Sequence, residues 1–309
     1  MSFDGRPAVR PDALADRPYR DEDLPRLQDA VAGWIAEAGR CGYDHIGELP
    51  HRIYQNLHGQ GPVSDLVRIW EDDGQVGGLA VCLRFGVAFD VLVSPALRGT
   101  DAERSMLATA AAVTAGRASG PHVFTDAWDC ETGRIGLLTE AGFEHFRTWD
   151  HIRERGLATA PADPAPPAGF RIRPARLSDA DGLAAARNAS FHEDWTGDGF
   201  RSAVMTKPGY APEQEIVAEA PDGRVAAYAV YWLDHRNAAG HFEPVGTAKD
   251  FRRRGLARAV MLAAMHRMRA AGMRAVSVNH DAANVPARRL YESLGFTRVA
   301  ETYGFRRPR

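Results

Sequence analysis

Two stretches in the second half of the chain combine residue types and spacings that could do chemistry. The first is Pro244-Val245-Gly246-Thr247-Ala248-Lys249-Asp250-Phe251-Arg252-Arg253-Arg254-Gly255-Leu256-Ala257. A short β run leads into an arginine-glycine loop, and the loop opens into the apolar spacing Leu256, Val260, Ala264, Met268, which predicts a helix. A helix start presents N–H groups without internal partners, and the entry Arg253-Arg254-Gly255 offers no side-chain acceptor to cap them. Gly255 permits close backbone approach, and the arginines, with Arg258 in the first turn, add charge to the positive end of the helix dipole. Such a site suits an anion of the pyrophosphate type.

The second stretch is Asn284-x-x-Ala287-x-x-Leu290-Tyr291-x-x-x-Gly295-Phe296, in which a phenol and a carboxamide stand a helical spacing apart. Upstream, His241-Phe242-Glu243 begins a strand and places an imidazole and a carboxylate on one face by strand alternation. Pro244 cannot donate to a sheet ladder, so a bulge or splay is expected there. A strand parted from its neighbour leaves the backbone of Val245, Gly246 and Thr247 free to bond an extended amide chain.

Arg252-x-x-Gly255-x-Ala257 followed by the Asn284 to Phe296 pattern resembles the GNAT superfamily of acyl-CoA-dependent N-acyltransferases, over residues 169 to 309. Alanine at 257 replaces that family's more usual second glycine. The resemblance implies acetyl-CoA as co-substrate, a pyrophosphate held by Arg252 to Arg258, and pantetheine bonded by Val245, Gly246, Thr247 and Asn284. It also implies direct attack by a primary amine of a small molecule in a ternary complex. Glu243 or His241 would take the amine's proton, and Tyr291 would protonate the leaving thiolate. A non-catalytic acyl-CoA sensor and a longer-chain acyltransferase are the alternatives to that reading.

The elements that must position these residues follow from the whole chain. With 309 residues two domains are expected, at about 100 to 200 residues each. The Pro/Ala-rich stretch 157–169 reads as the linker between a domain at 19–156 and a catalytic one at 170–309, with 1–18 a loose leader. The first half runs helix, strands, an Arg98-Gly99 loop and a helical stretch, as the second does, and Gly142-Phe143 precedes Gly295-Phe296 by 153 positions. The chain therefore reads as a tandem repeat of class α/β (α+β): two GNAT-like domains, each a mixed, mostly antiparallel sheet flanked by helices. In the first copy Leu138 stands where Tyr291 would and Glu131 where Asn284 would, and Asp101 and Glu103 follow the loop. That copy is read as degenerate. Among tandem GNAT proteins the layout resembles mycothiol synthases, a likeness of architecture that carries no substrate.

Composition narrows the partners. A net charge of −2 and a basic content that is almost all arginine, with only Lys207 and Lys249 as lysines, give no nucleic-acid face. No stretch of about 18 apolar residues suggests a membrane span, and the start lacks an apolar leader, so a cytoplasmic protein is expected, as monomer or homodimer. Cys41, Cys82 and Cys130 show no metal or redox spacing and read as buried thiols; no metal is expected. The second half has no cysteine nucleophile, which argues against a covalent acyl-cysteine intermediate there. His192, Glu193 and Asp194 fall where the family covers its acceptor, which would suit a cationic amine.

Overall fold

The computed structural model describes Arg10 and residues 13–309. In chain order the first elements are β1 (Ala15–Pro18), α1 (Leu24–Ala38), α2 (Glu48–Tyr54), α3 (Val63–Leu66), β2 (Val67–Asp72), β3 (Gln75–Arg84), β4 (Ala88–Val93), α4 (Asp101–Arg117), β5 (His122–Trp128), α5 (Thr132–Glu140) and β6 (Glu144–Gly156). There follow β7 (Arg171–Pro174), α6 (Ala180–Phe191), α7 (Gly197–Phe200), β8 (Glu215–Glu219), β9 (Val225–Asp234), β10 (Ala239–Thr247), α8 (Leu256–Ala270), β11 (Ala275–Asp281), α9 (Val285–Ser293) and β12 (Thr297–Pro308). The chain forms two compact units, one running to His151 and completed by Ala300–Arg309, the other Ile152–Val299.

That division differs from the expected boundaries. The linker 157–169 lies inside the second unit, because β6 is 13 residues long and runs on past the first unit's end. The last ten residues complete the first unit, where Thr302 to Pro308 pair antiparallel with Trp128 to His122 of β5. The leader is not loose throughout: Ala15 to Pro18 pair with Glu71 to Arg68 of β2. Residues 1–9, 11 and 12 lie outside the described residues. Sequence composition marks a flexible tract well, but it cannot show where a strand finds its partner.

Each unit is a mixed, mostly antiparallel sheet with flanking helices. The first has the order β1-β2-β3-β4-β5 followed by the C-terminal part of β12; the second has β7-β8-β9-β10-β11 followed by the end of β6. Parallel pairing occurs between β4 and β5 in the first and between β10 and β11 in the second. The repeat is visible in the elements, since α5 and α9 begin at Thr132 and Val285, and β5 and β11 at His122 and Ala275.

The core of the second unit explains why its helix sits where it does. The stripe Leu256, Val260, Ala264, Met268 is buried, joined by Ala259, Met261, Leu262 and Met265. Each fully buried Leu, Val or Met contributes about 1.5–3 kcal/mol, enough together to fix the helix against the sheet. Behind the sheet's other part, the Arg187 guanidinium of α6 is fully buried, pairs with Glu215 at 2.8 Å and lies 4.5 Å over the Tyr228 ring.

Two cysteine expectations change. Cys41 and Cys130 form a disulfide across 89 residues of sequence, a pairing that spacing cannot reveal, while Cys82 is a buried free thiol as expected. Nearby, burial first and then the charge of Asp126 push the Asp150 carboxyl of β6 up to about 8. Between the ordinary carboxylate range and that value the folded state holds a proton the unfolded chain has released, so stability falls as pH rises through the window. Asp150→Asn removes that loss. Thermal melts of the variant are expected to lie above those of the parent at about pH 8 and to change less from about pH 5 upward; parallel curves for the two proteins would refute it.

Candidate active site

Strand β10 parts from its neighbour where Pro244 demands it. It pairs with β11 from Ala239↔Ala275 to Phe242↔Val278 and no further, and its register against β9 shifts between Phe242 and Val245. From Val245 to Thr247 it stays bonded to β9 alone, which leaves its other edge open. Gly246 is required there: a Cβ would stand 2.5 Å from the Tyr228 ring and hydroxyl. Val245, Gly246 and Thr247 thus pair with β9 beyond the point where β11 leaves β10.

The loop after β10 turns sharply into α8. Arg253 and Gly255 both adopt positive φ, at 67° and 78°, and Gly255 is the N-cap, with no side-chain cap bond. The first intrahelical bond is from Ala259 N–H to Gly255 O at 3.1 Å, so the N–H groups of Leu256, Ala257 and Arg258 have no partner within the helix. A Cβ on Gly255 would meet nothing within 4 Å, so the mouth of the loop is open.

The arginines divide their tasks. Arg252 ties the loop down, donating to the Thr247 carbonyl and to the Ser190 carbonyl, each at 3.3 Å. Arg253 and Arg254 are exposed, Arg254 lying 5.7 Å over the Phe251 ring. Arg258 donates to the Ser293 carbonyl at 2.7 Å and so anchors the end of α9 rather than facing the loop mouth. Asn284 is the N-cap of α9, its Oδ1 accepting from Ala287 N–H at 3.1 Å; that bond, absent from the sequence reading, spends its oxygen on the helix and leaves its amide nitrogen for a ligand.

Tyr291 is buried on α9, its ring 5.5 Å from that of His280 and 6.0 Å from that of Phe296. Burial, and then the negative charge of Glu243, hold its phenol above the ordinary range. Glu243 is thus near enough for its charge to act on the phenol. Glu243 is partly exposed, and its backbone carbonyl accepts from Trp232 Nε1 at 2.8 Å. His241 is fully buried, with Nδ1 2.8 Å from Ser277 Oγ. A ring nitrogen of His241 and a carboxylate oxygen of Glu243 lie within 4.8 Å of one another, so the two share a face as alternation placed them, and they differ in burial.

Some residues of this corner carry no signal in the sequence. His280 packs on Tyr291, Arg153 bonds His280, and Trp232 bonds the Glu243 carbonyl; none of the three is marked by its neighbours in sequence. In the acceptor-side loop Glu193 accepts from Trp195 Nε1 at 2.9 Å, so that carboxylate shapes the loop as well as charging it.

The first unit handles the same places differently. Three residues, Arg98 to Thr100, separate its short 3₁₀ turn from α4, where four, Arg252 to Gly255, stand before α8. The Gly99 N–H donates to Glu103 Oε2 at 2.6 Å, and Glu103 is held by Arg134 Nε at 2.7 Å, both side chains buried. A protein carboxylate therefore occupies a donor at the loop that an anionic ligand would otherwise use.

With this geometry in view, residues 181–296 match the acetyltransferase (GNAT) family model. That segment is a GNAT acetyltransferase domain. GNAT acetyltransferases take acetyl-CoA as co-substrate. Over 321 residues, 99% of each chain, the protein is 27% identical to a mycothiol acetyltransferase of Clavibacter michiganensis subsp. michiganensis. It is 28% identical to that of Actinosynnema mirum, over 92% of this chain and 97% of the relative. Among solved structures it shares the fold of a tandem GNAT protein from the clavulanic acid biosynthesis pathway, with TM-score 0.64 and 15% identity over 96% of this chain and 98% of that one. A GCN5-related N-acetyltransferase from Sphaerobacter thermophilus gives TM-score 0.62 and 18% identity over 97% of each chain. No helix among the described residues is long and apolar enough to cross a membrane.

Proposed function

We propose that the second unit transfers an acetyl group from acetyl-CoA to a primary amine of a small molecule by direct attack in a ternary complex. The observation that carries this is the conjunction of an uncapped, open helix start at Gly255 with a buried Tyr291 electrically coupled to Glu243. The N–H groups around Gly255 to Ala257, with Arg253 and Arg254, would hold the diphosphate, Arg252 and Arg258 keeping the loop and α9 in place. The open edge of Val245 to Thr247 would bond pantetheine and give an N–H to the thioester oxygen. Asn284 would add its amide nitrogen.

An aliphatic amine must lose a proton before it attacks. Glu243 is the better base, because it is partly exposed and its charge reaches Tyr291, whereas His241 is sealed in the sheet and held by Ser277. The two steps are then linked. While Glu243 is charged it helps keep the phenol protonated; once it has taken the amine's proton, that influence vanishes and Tyr291 becomes a stronger acid as the thiolate departs. The N–C bond forms, the C–S bond breaks, and the sulfur receives the phenol's proton.

The acceptor is read as a small molecule because relatives spanning nearly the whole chain are named mycothiol acetyltransferases. The first unit is read as a copy without a cofactor site, on the strength of Glu103 at Gly99. Release of free CoA thiol from acetyl-CoA across a panel of primary amines tests the activity. Turnover with at least one amine is expected. Binding of CoA by calorimetry without turnover on any amine would oppose it and leave an acyl-CoA-binding protein.

A further inference from the structure

Arg153 stands near the end of β6, before the residues that match the family, and 127 positions from the side chain it contacts. Its Nε donates to His280 Nε2 at 3.0 Å and its Nη2 to Glu292 Oε1 at 3.0 Å. Arg153 and His280 are buried, whereas the Glu292 side chain is 51% exposed. His280 lies on β11 with its ring 5.5 Å from that of Tyr291, and Glu292 adjoins Tyr291 on α9. One guanidinium thus grips the residue beside the phenol in sequence and the residue beside it in space.

The donor pattern fixes the imidazole. A guanidinium has no acceptor, so Nε2 of His280 accepts; the Asp281 carbonyl, 2.8 Å from Nδ1, can only accept, so Nδ1 carries the proton. His280 is therefore neutral and held in one tautomer, with a flat uncharged ring against Tyr291. The titratable and charged groups at this corner are Arg153 from β6, Asp281 on the strand of His280, Tyr291 and Glu292 from α9, and Glu243 of β10 acting on the phenol.

We infer that Arg153 is a positioning residue for Tyr291, which it serves by locking His280 as a neutral imidazole and by tying down α9 through Glu292. The inference rests on reading Tyr291 as the proton donor. Without Arg153, His280 Nε2 loses the donor that keeps it an acceptor, so the imidazole can take up a proton and place a cation beside the phenol, and α9 loses a strut next to its reactive residue. A neutral ring packed on a phenol orients it; a charged and mobile one does not.

The test compares Arg153→Met, Arg153→Met with His280→Gln, Glu292→Leu, Tyr291→Phe, and Arg153→Met with Tyr291→Phe, by steady-state kinetics across pH. Arg153→Met is expected to lower kcat by roughly tenfold or more with KM for acetyl-CoA unchanged. Its pH profile gains an ionisation near about 6.5 that the parent lacks and that His280→Gln removes. In the Tyr291→Phe background Arg153→Met costs nothing further. Parental kcat and profile in Arg153→Met, or an equal loss with and without the phenol, overturns the inference while leaving Tyr291 as donor. Should Arg153→Met fail to fold, Glu292→Leu, which unlike Glu292→Gln leaves Nη2 no acceptor, decides: a lowered kcat at constant KM supports it, and parental kcat overturns it. Full activity in Tyr291→Phe sinks the proton-donor reading itself, and this inference with it.

Discussion

Tyr291→Phe lowers kcat by about 10²–10⁴, the range a positioned general acid supplies, and leaves the affinity for acetyl-CoA where it was. The substitution is clean because the ring is what packs. It lies against His280 and Phe296 at 5.5 and 6.0 Å, and phenylalanine keeps both contacts while removing the oxygen. The loss falls on the step in which the thiolate departs. It should be largest for acyl donors with poor leaving groups and shrink for a thioester whose thiol is more acidic. A series of such thioesters, read as kcat against thiol acidity, checks this. A variant with parental kcat and the same dependence on the leaving group would show that the thiolate finds its proton elsewhere.

Gly255→Glu raises KM and Kd for acetyl-CoA by at least about a hundredfold, which corresponds to about 3 kcal/mol, or two charge-assisted hydrogen bonds lost. The first unit shows what a carboxylate does in such a place: Glu103 accepts from the Gly99 N–H at 2.6 Å and fills the loop from within. A glutamate at 255 would set a negative charge over the free N–H groups of Leu256 and Ala257. Gly255→Ala is the control for the backbone. At φ 78° an L residue is strained, at about 1–2 kcal/mol, but its methyl meets nothing within 4 Å. Alanine should therefore weaken binding far less than glutamate. Equal effects would assign the loss to backbone conformation rather than to a blocked anion site. Acetyl-CoA titrations of both variants, with thermal melts to confirm folding, separate the two.

How much of this was legible in the sequence depended on how local the cause was. The bulge at Pro244, the uncapped start of α8 and the helix bearing Tyr291 each follow from the residues within a few positions, and each is where the spacing placed it. The hairpin of β8 and β9 about Asp222-Gly223 belongs to the same class. Features made by distant residues stayed hidden. The Cys41–Cys130 disulfide closes 89 residues, and Arg153 reaches His280 across 127. Neither leaves a mark on any short window of sequence. The same holds for the domain ends, because β6 and β12 each run from one unit into the other and nothing in their alternation marks where the passage occurs.

Two site residues were legible by type, while their contacts inside the protein were not. Arg258, a cation in the first turn of α8, turns to the Ser293 carbonyl, since that carbonyl at the end of α9 lies within reach of its long side chain. Asn284 gives its oxygen to the Ala287 N–H, as asparagine at a helix start commonly does. His241 and Glu243 share a face, as alternation placed them, with a ring nitrogen and a carboxylate oxygen within 4.8 Å of one another; burial is what distinguishes them.

The central claim is that main-chain N–H groups at the start of α8 hold the diphosphate of coenzyme A and that the matching loop of the first unit does not. Isothermal titration of acetyl-CoA into the parent protein and into Gly255→Glu tests it most directly. One site per chain, abolished by the substitution, is the result predicted. Two sites per chain, or one that survives Gly255→Glu, would contradict it.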